Sequence, residues 1–213
     1  MSFNSTKLTS LFAAMNKCVA QNQKLLIELD SICGDGDLGL SMCDGFSAVT
    51  QALEESVEKD IGKLLFIAGK TFNKRASSTT GTLFSNGLIT SAKALRGRIE
   101  LNLDGLATMI EGWLEGIMTL GCGKRGEKTI IDALAPAADV LRQAAQAGTS
   151  IPEAMEQAAK AAVAGAESTR NMLAVHGRAA VRSTASIGMI DPGAVLFGIL
   201  ITAMANDLKE NQC

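Results

Sequence analysis

Three carboxylates, Asp30, Asp35 and Asp37, fall within the run Asp30-Ser31-Ile32-Cys33-Gly34-Asp35-Gly36-Asp37-Leu38-Gly39. The nearest basic residues on either side are Lys24 and Lys59. Acids this close repel one another unless a cation sits among them. Glycines let the chain fold tightly enough for all three to converge. Carboxylate oxygens suit hard divalent ions, and Mg²⁺ in particular pairs a few carboxylates with substrate phosphates. The run therefore predicts a magnesium site that holds a nucleotide. The plainer alternative is a solvated acidic turn that starts a helix.

Two other readings of this run fail on chemistry. Gly34, Gly36 and Gly39 match G-x-G-x-x-G, with Glu54 about twenty residues on. Asp35 and Asp37 would repel a pyrophosphate, however, and no alternation of strands and helices follows. An EF-hand starting at Asp35 would need a bidentate glutamate where Phe46 stands.

Three further loops carry chemistry. Ser77-Ser78-Thr79-Thr80-Gly81 enters a helix, and small hydroxyl residues with free amides there suit an anion or a plain N-cap. Gly121-Cys122-Gly123-Lys124-Arg125-Gly126-Glu127-Lys128-Thr129 is one residue away from a phosphate-binding G-x-x-x-x-G-K-T loop, and lacks the strand that precedes one. His176-Gly177-Arg178 is followed by Ser186-Ile187-Gly188-Met189-Ile190-Asp191-Pro192-Gly193. An arginine there could neutralise phosphate oxygens or simply face solvent. His176, the one histidine of the chain, reads as incidental rather than as a base.

The elements that must position these loops read as helices. Leu8, Leu11, Phe12, Met15 and Val19 share one face of a first helix that continues towards Leu29. Met42, Phe46, Val49, Leu53 and Val57 form a second, and Ile61, Leu64, Leu65, Ala68 and Phe72 a third. Leu83, Leu88, Ala92 and Leu95 suggest a fourth. Asp104 can cap a fifth carrying Leu106, Ile110, Trp113 and Ile117. A sixth starts near Thr129 and closes at Gly148. Ser150-Ile151-Pro152-Glu153 has the pattern of a capping box and opens a seventh. The last runs from about Ala194 to Leu208. No strand stands out, although Lys24 to Leu29 could pass for a short one. One helical domain over residues 1–213 with four busy loops is the economical reading.

Bulk properties narrow the function classes. The chain has 213 residues, enough for a sizeable core. Its formal net charge is −2 without a basic tract, so neither nucleic acid nor a membrane surface is expected as partner. Cys18, Cys33, Cys43, Cys122 and Cys213 show no CxxC and no framework spacing, which reads as reduced thiols in the cytoplasm. No signal-peptide pattern or long apolar run is present. The alanine-rich composition favours closely packed helices, an all-α fold.

Five motifs in one order carry a resemblance. They are L-D-x-x-x-G-D-G-D at 29–37, T-x-G-x-L-[FY] at 79–84, G-[DE]-K-T-x-x-D-A-L at 126–134, G-R-A at 177–179 and S-I-G-x-x-D-P-G-A at 186–194. Over essentially its whole length the chain resembles the nucleotide-binding L subunit of dihydroxyacetone kinases. The resemblance implies an eight-helix antiparallel up-and-down barrel with ADP or ATP at one end. By position, Asp30, Asp35 and Asp37 would hold two Mg²⁺ ions. Leu38, Gly39, Leu40 and Ser41 would offer backbone amides, and Ser41 a hydroxyl. Thr79 and Thr80 would meet the phosphates, and Arg178 would lie beside them as the catalytic cation. Gly121, Thr129, Ile130, Asp191, Pro192 and Gly193 would line the adenosine.

The family's activity is phosphate transfer to a small ketose held on a separate K-type subunit, so little activity is expected of this chain alone. The donor is either ATP or a phosphotransferase-system protein that recharges a held ADP. The chain departs from the family at Leu38, where a histidine is usual, and at Ser77-Ser78, where two glycines are. Rival readings are a fatty-acid-kinase-like domain, a non-catalytic regulatory nucleotide-binding subunit and a ligand-free helical bundle.

Overall fold

The computed structural model describes residues 3–210, apart from the side chain of Cys33. The side chain of Cys33 and the whole of Cys213 lie outside the described residues; Cys18, Cys43 and Cys122 are free. Among the described residues ten α-helices run in order: α1 Ser5–Gln21, α2 Gln23–Cys33, α3 Leu38–Glu54, α4 Ile61–Arg75, α5 Thr79–Ala94, α6 Leu103–Gly121, α7 Ile131–Ala147, α8 Ile151–Ser168, α9 Gly177–Ala180 and α10 Pro192–Glu210. The fold is all-α. Two two-residue strands, β1 Phe3–Asn4 and β2 Glu100–Leu101, pair antiparallel with Phe3 opposite Leu101.

Eight helices close a ring in which each packs on the next: α1, α3, α4, α5, α6, α7, α8, α10 and back to α1. Every second connection, at 34–37, 76–78, 122–130 and 169–191, contributes to one cleft. Connections 55–60 and 95–102 meet away from it, where the Gly97 N–H donates to Asp60 Oδ2 across 2.9 Å and the Ile61 N–H to the Arg98 carbonyl across 2.7 Å. Consecutive helices therefore alternate in direction.

Phenylalanine and tryptophan side chains from five helices fill the barrel axis. Phe46, Phe72, Phe84, Trp113 and Phe197 form a continuous set of edge-on and stacked rings, with Phe72 and Phe84 centroids 4.3 Å apart and Phe84 and Trp113 4.6 Å apart. Rings in contact at this spacing gain beyond their burial. Gly45 and Gly87 make room for Phe72 and Trp113, since a Cβ at either would overlap the ring.

Several boundaries differ from the sequence expectation. The first apolar stripe breaks at Asn22, where Gln23 starts a second helix, so Lys24 to Leu29 is helix. Val57 lies beyond the end of α3 and is 92% exposed. The cap of α6 is Asn102, whose side chain accepts the Gly105 N–H at 3.0 Å, while Asp104 sits in the first turn. Ser150 precedes α8 with Pro152 in its first turn, but its side chain makes no capping bond. Gly148 closes α7 in the left-handed region, as expected.

Candidate functional site

The acidic loop folds as its glycines require. Helix α2 ends with the Gly34 N–H donating to the Asp30 carbonyl across 2.5 Å. A Cβ at Gly34 would overlap the Asp30 carboxylate, and Gly36 takes a φ of 76°, which side chains disfavour. The Leu38 N–H then donates to Asp30 Oδ2 at 3.3 Å, drawing the start of α3 back onto the end of α2. Asp37 precedes α3 but does not cap it. The outcome is that one carboxylate oxygen from each of Asp30, Asp35 and Asp37 lies within 4.8 Å of the others.

This cluster is electrostatically unrelieved on its own. Partial burial pushes the Asp37 carboxyl above its ordinary range, with Asp35 and Asp30 adding to the rise and Arg178 opposing it. Arg178 Nη2 lies 2.6 Å from Asp35 Oδ2. The donors are all hard oxygens, with neither nitrogen nor sulphur among them, which fits Mg²⁺ or a similar ion.

The carboxylates form one edge of an open cleft of about 940 Å³. Leu38 reaches the cleft edge, but its side chain is packed in the core. The other predicted residues from the start of α3 are not among those lining the cleft. Gly39 is pressed against the Gln23 carbonyl and Ile27 of α2, and Leu40 is exposed. The Ser41 N–H bonds the Asp37 carbonyl, and its hydroxyl bonds Leu38 O at 3.2 Å. Of the four predicted amides, those of Gly39 and Leu40 remain as first-turn donors without an intrahelical partner.

Thr79 and Thr80 line the cleft at the first turn of α5. Ser78 caps that helix by accepting the Gly81 N–H at 3.1 Å, and its hydroxyl reaches Ser41 Oγ at 3.3 Å. Ser78 thus ties α5 to α3.

Gly121, Thr129, Ile130, Asp191, Pro192, Gly193 and Arg178 also line the cleft. Asp191 accepts the Ala194 N–H at 2.7 Å, and its own N–H donates to Thr169 Oγ1 at 2.9 Å. The residue keeps some exposed surface, yet its carboxyl is enclosed. Burial pushes that carboxyl up to about 7, against the pull of the Ala194 N–H and Lys128.

Three residues matter here whose roles the sequence left unread. Asp132 is buried and folds the 122–130 loop by accepting the Gly126 N–H at 2.6 Å and the Thr129 N–H at 2.8 Å. Lys128 is buried in the left-handed region, at φ 61°, and its ammonium donates to the carbonyls of Thr169, at 2.6 Å, and Met189. His176 Nε2 lies 2.7 Å from Glu127 Oε2. Asp132 and Lys128 stand in the G-[DE]-K-T-x-x-D motif, so their positions, though not their contacts, were marked.

Among the described residues, no helix is long and apolar enough to cross a membrane.

Residues 32–206 match the DAK2 domain family. The ADP-binding subunit DhaL of the PEP-dependent dihydroxyacetone kinase of Escherichia coli (strain K12) is 34% identical over 210 residues, covering 99% of this chain and 100% of that one. The L-erythrulose 1-kinase of Mycolicibacterium smegmatis is 30% identical over 207 residues, 95% of this chain but 36% of its own length. Among solved structures, the dihydroxyacetone kinase of C. freundii in complex with AMP-PNP and Mg²⁺ superposes with a TM-score of 0.71 over 93% of this chain and 33% of that chain, at 23% identity. The chain thus spans about a third of these two larger kinases. At that identity the structural match speaks for the fold alone.

Proposed function

Because the chain belongs to the DAK2 domain family, we propose that it is the nucleotide-holding subunit of a dihydroxyacetone-type kinase, passing phosphate to a small ketose on a separate K-type subunit. The observation that carries this reading is the convergence of Asp30, Asp35 and Asp37 at the edge of a cleft that also exposes the first turn of α5 and Arg178. The similarity to an ADP-binding subunit supports the nucleotide.

Each residue has a role that its chemistry explains. Asp30, Asp35 and Asp37 would hold two Mg²⁺ ions. When bound, such ions would neutralise the phosphate charge that develops during transfer. Thr79 and Thr80 offer hydroxyls and first-turn amides to the phosphates, where the helix dipole favours negative charge. Arg178 adds a permanent cation that can fork onto phosphate oxygens. Gly121, Thr129, Ile130 and Asp191 to Gly193 would line the adenosine.

Phosphoryl transfer needs positioning and charge neutralisation more than covalent help from the protein. The cleft supplies both, and the K-type partner supplies the acceptor and the base for its alcohol. The donor is ATP itself, or a phosphotransferase-system protein that recharges bound ADP.

The test is reconstitution with a ketose-binding K-type subunit, dihydroxyacetone or erythrulose, and either ATP or the phosphotransferase-system donor. Ketose phosphate should form only when both subunits are present. Robust ketose phosphorylation by the isolated chain would overturn the division of labour.

A further inference from the structure

Resting on the reading that Arg178 meets the phosphates, we propose that the Glu127–His176 pair is a clasp that positions Arg178 over the cleft. The segment between α8 and α10 is built from short pieces: one turn at 169–171, the four-residue α9 and one turn at 183–186. Such a chain holds little shape of its own. Its two ends are anchored, since the Lys128 ammonium donates to the carbonyls of Thr169 and Met189 and the Gly188 N–H donates to the Arg170 carbonyl at 2.7 Å.

The middle of the segment has fewer ties. Among the described residues, apart from bonds to its own flanks (the Met172 N–H to the Thr169 carbonyl and the Met189 N–H to the Ser186 carbonyl), hydrogen bonds and ion pairs join 172–187 to the rest of the fold at two places. One is Glu127, through the Val175 N–H at 3.4 Å to its carbonyl and His176 Nε2 at 2.7 Å from its carboxylate. The other is the Arg178–Asp35 pair itself. Gly177 stands between His176 and Arg178 with a φ of 66° and open space around it. The arginine therefore hangs just past a hinge, and His176 is the last fixed point before it.

Glu127 is a firm place to fasten. The carboxylate oxygen that faces His176 also accepts the Lys124 N–H at 2.7 Å. Those two bonds, that to His176 first, hold the carboxyl below its usual range. The next residue is the buried Lys128, in a backbone conformation that persists only when its surroundings enforce it. An arginine that must be recruited from a loose loop loses conformational freedom on binding, and a clasp removes part of that loss beforehand. His176 is thus a positioning residue, acting through Arg178.

The experiment is a double-mutant cycle on the whole chain, reading the Kd of ADP in the presence of Mg²⁺ by calorimetry. His176→Ala should weaken binding by about three- to tenfold. His176→Gln, whose amide nitrogen can stand where Nε2 does and donate to Glu127, should restore it to within about twofold. In an Arg178→Ala background, His176→Ala should change nothing further. Tm should stay within a few degrees throughout, because the pair lies outside the core.

Equal losses from His176→Ala in both backgrounds would show a general structural role and overturn the clasp, as would wild-type affinity in His176→Ala. Wild-type affinity in Arg178→Ala would overturn both the clasp and the phosphate role of Arg178. The nucleotide reading is separately exposed by Asp37→Asn, whose loss of ADP binding must persist whatever the clasp does.

Discussion

Arg178 Nη2 sits 2.6 Å from Asp35 Oδ2, so an arginine of one loop neutralises a carboxylate of another at the place where a divalent ion is proposed. Cation and arginine compete for the same carboxylate. In the presence of phosphate the arginine gains a better partner, and the two cease to conflict. Arg178→Ala should therefore tighten the binding of Mg²⁺ alone by a few-fold, the scale of an exposed ion pair of about 0–1 kcal/mol. The same change should weaken ADP in the presence of Mg²⁺. Calorimetric titrations with and without nucleotide check both signs.

Asp191 sets a pH dependence of stability. Its carboxyl rises from the unfolded value of 3.8 to about 7 in the fold. The folded chain thus binds more protons than the unfolded chain between these values, and the stability this group contributes is full below 3.8 and lost as pH rises to about 7. The window is therefore the acidic side of neutrality. Asp191→Asn keeps an oxygen for the Ala194 N–H and removes the titration. The variant should show a flatter Tm between pH 5 and 7 than the wild type, and a higher Tm at about pH 8. Thermal melts across that range check it.

Asp132 holds the 122–130 loop by two amide hydrogen bonds from within the fold. Removing the carboxylate leaves the Gly126 and Thr129 N–H groups without it. Gly126 is exposed and Thr129 half-buried, so water takes up part of the loss, and Asp132→Ala should lose about 1–2 kcal/mol of stability. Denaturant titration measures the loss. Asp132→Asn, which keeps one acceptor, should fall between.

Gly34 separates site from scaffold. A methyl group there would displace the Asp30 carboxylate, yet the residue lies in the loop rather than in the packed ring of helices. Gly34→Ala should weaken ADP–Mg²⁺ by at least about tenfold, the size expected when a side chain that orients a metal ligand is disturbed. Helical circular dichroism should be unchanged.

What was legible in the sequence follows the range of the physics. Apolar residues at helical spacing face one core, so Leu8 to Val19 and Ile61 to Phe72 announced their helices. The acidic loop was legible because three like charges beside glycines have few uses, and the five motifs because their order is distinctive. Breaks were not legible where the period continued through them, as at Asn22, since only the backbone turn there betrays the change. Asn102 and Asp104 are both good caps, and choosing between them needs the backbone. His176 and Glu127 are 49 residues apart, as their contact shows, and no local pattern reports such a pairing. The burial of Lys128 depends on carbonyls 41 and 61 residues away.

The most direct test of the central claim is native mass spectrometry of the intact chain with ADP and Mg²⁺, beside Asp37→Asn. The proposed site predicts a species heavier by one ADP and two Mg²⁺ in the wild type, and its loss, or an affinity at least about tenfold lower, in the variant. ADP bound equally by both chains, or by neither, would contradict a nucleotide held through these carboxylates.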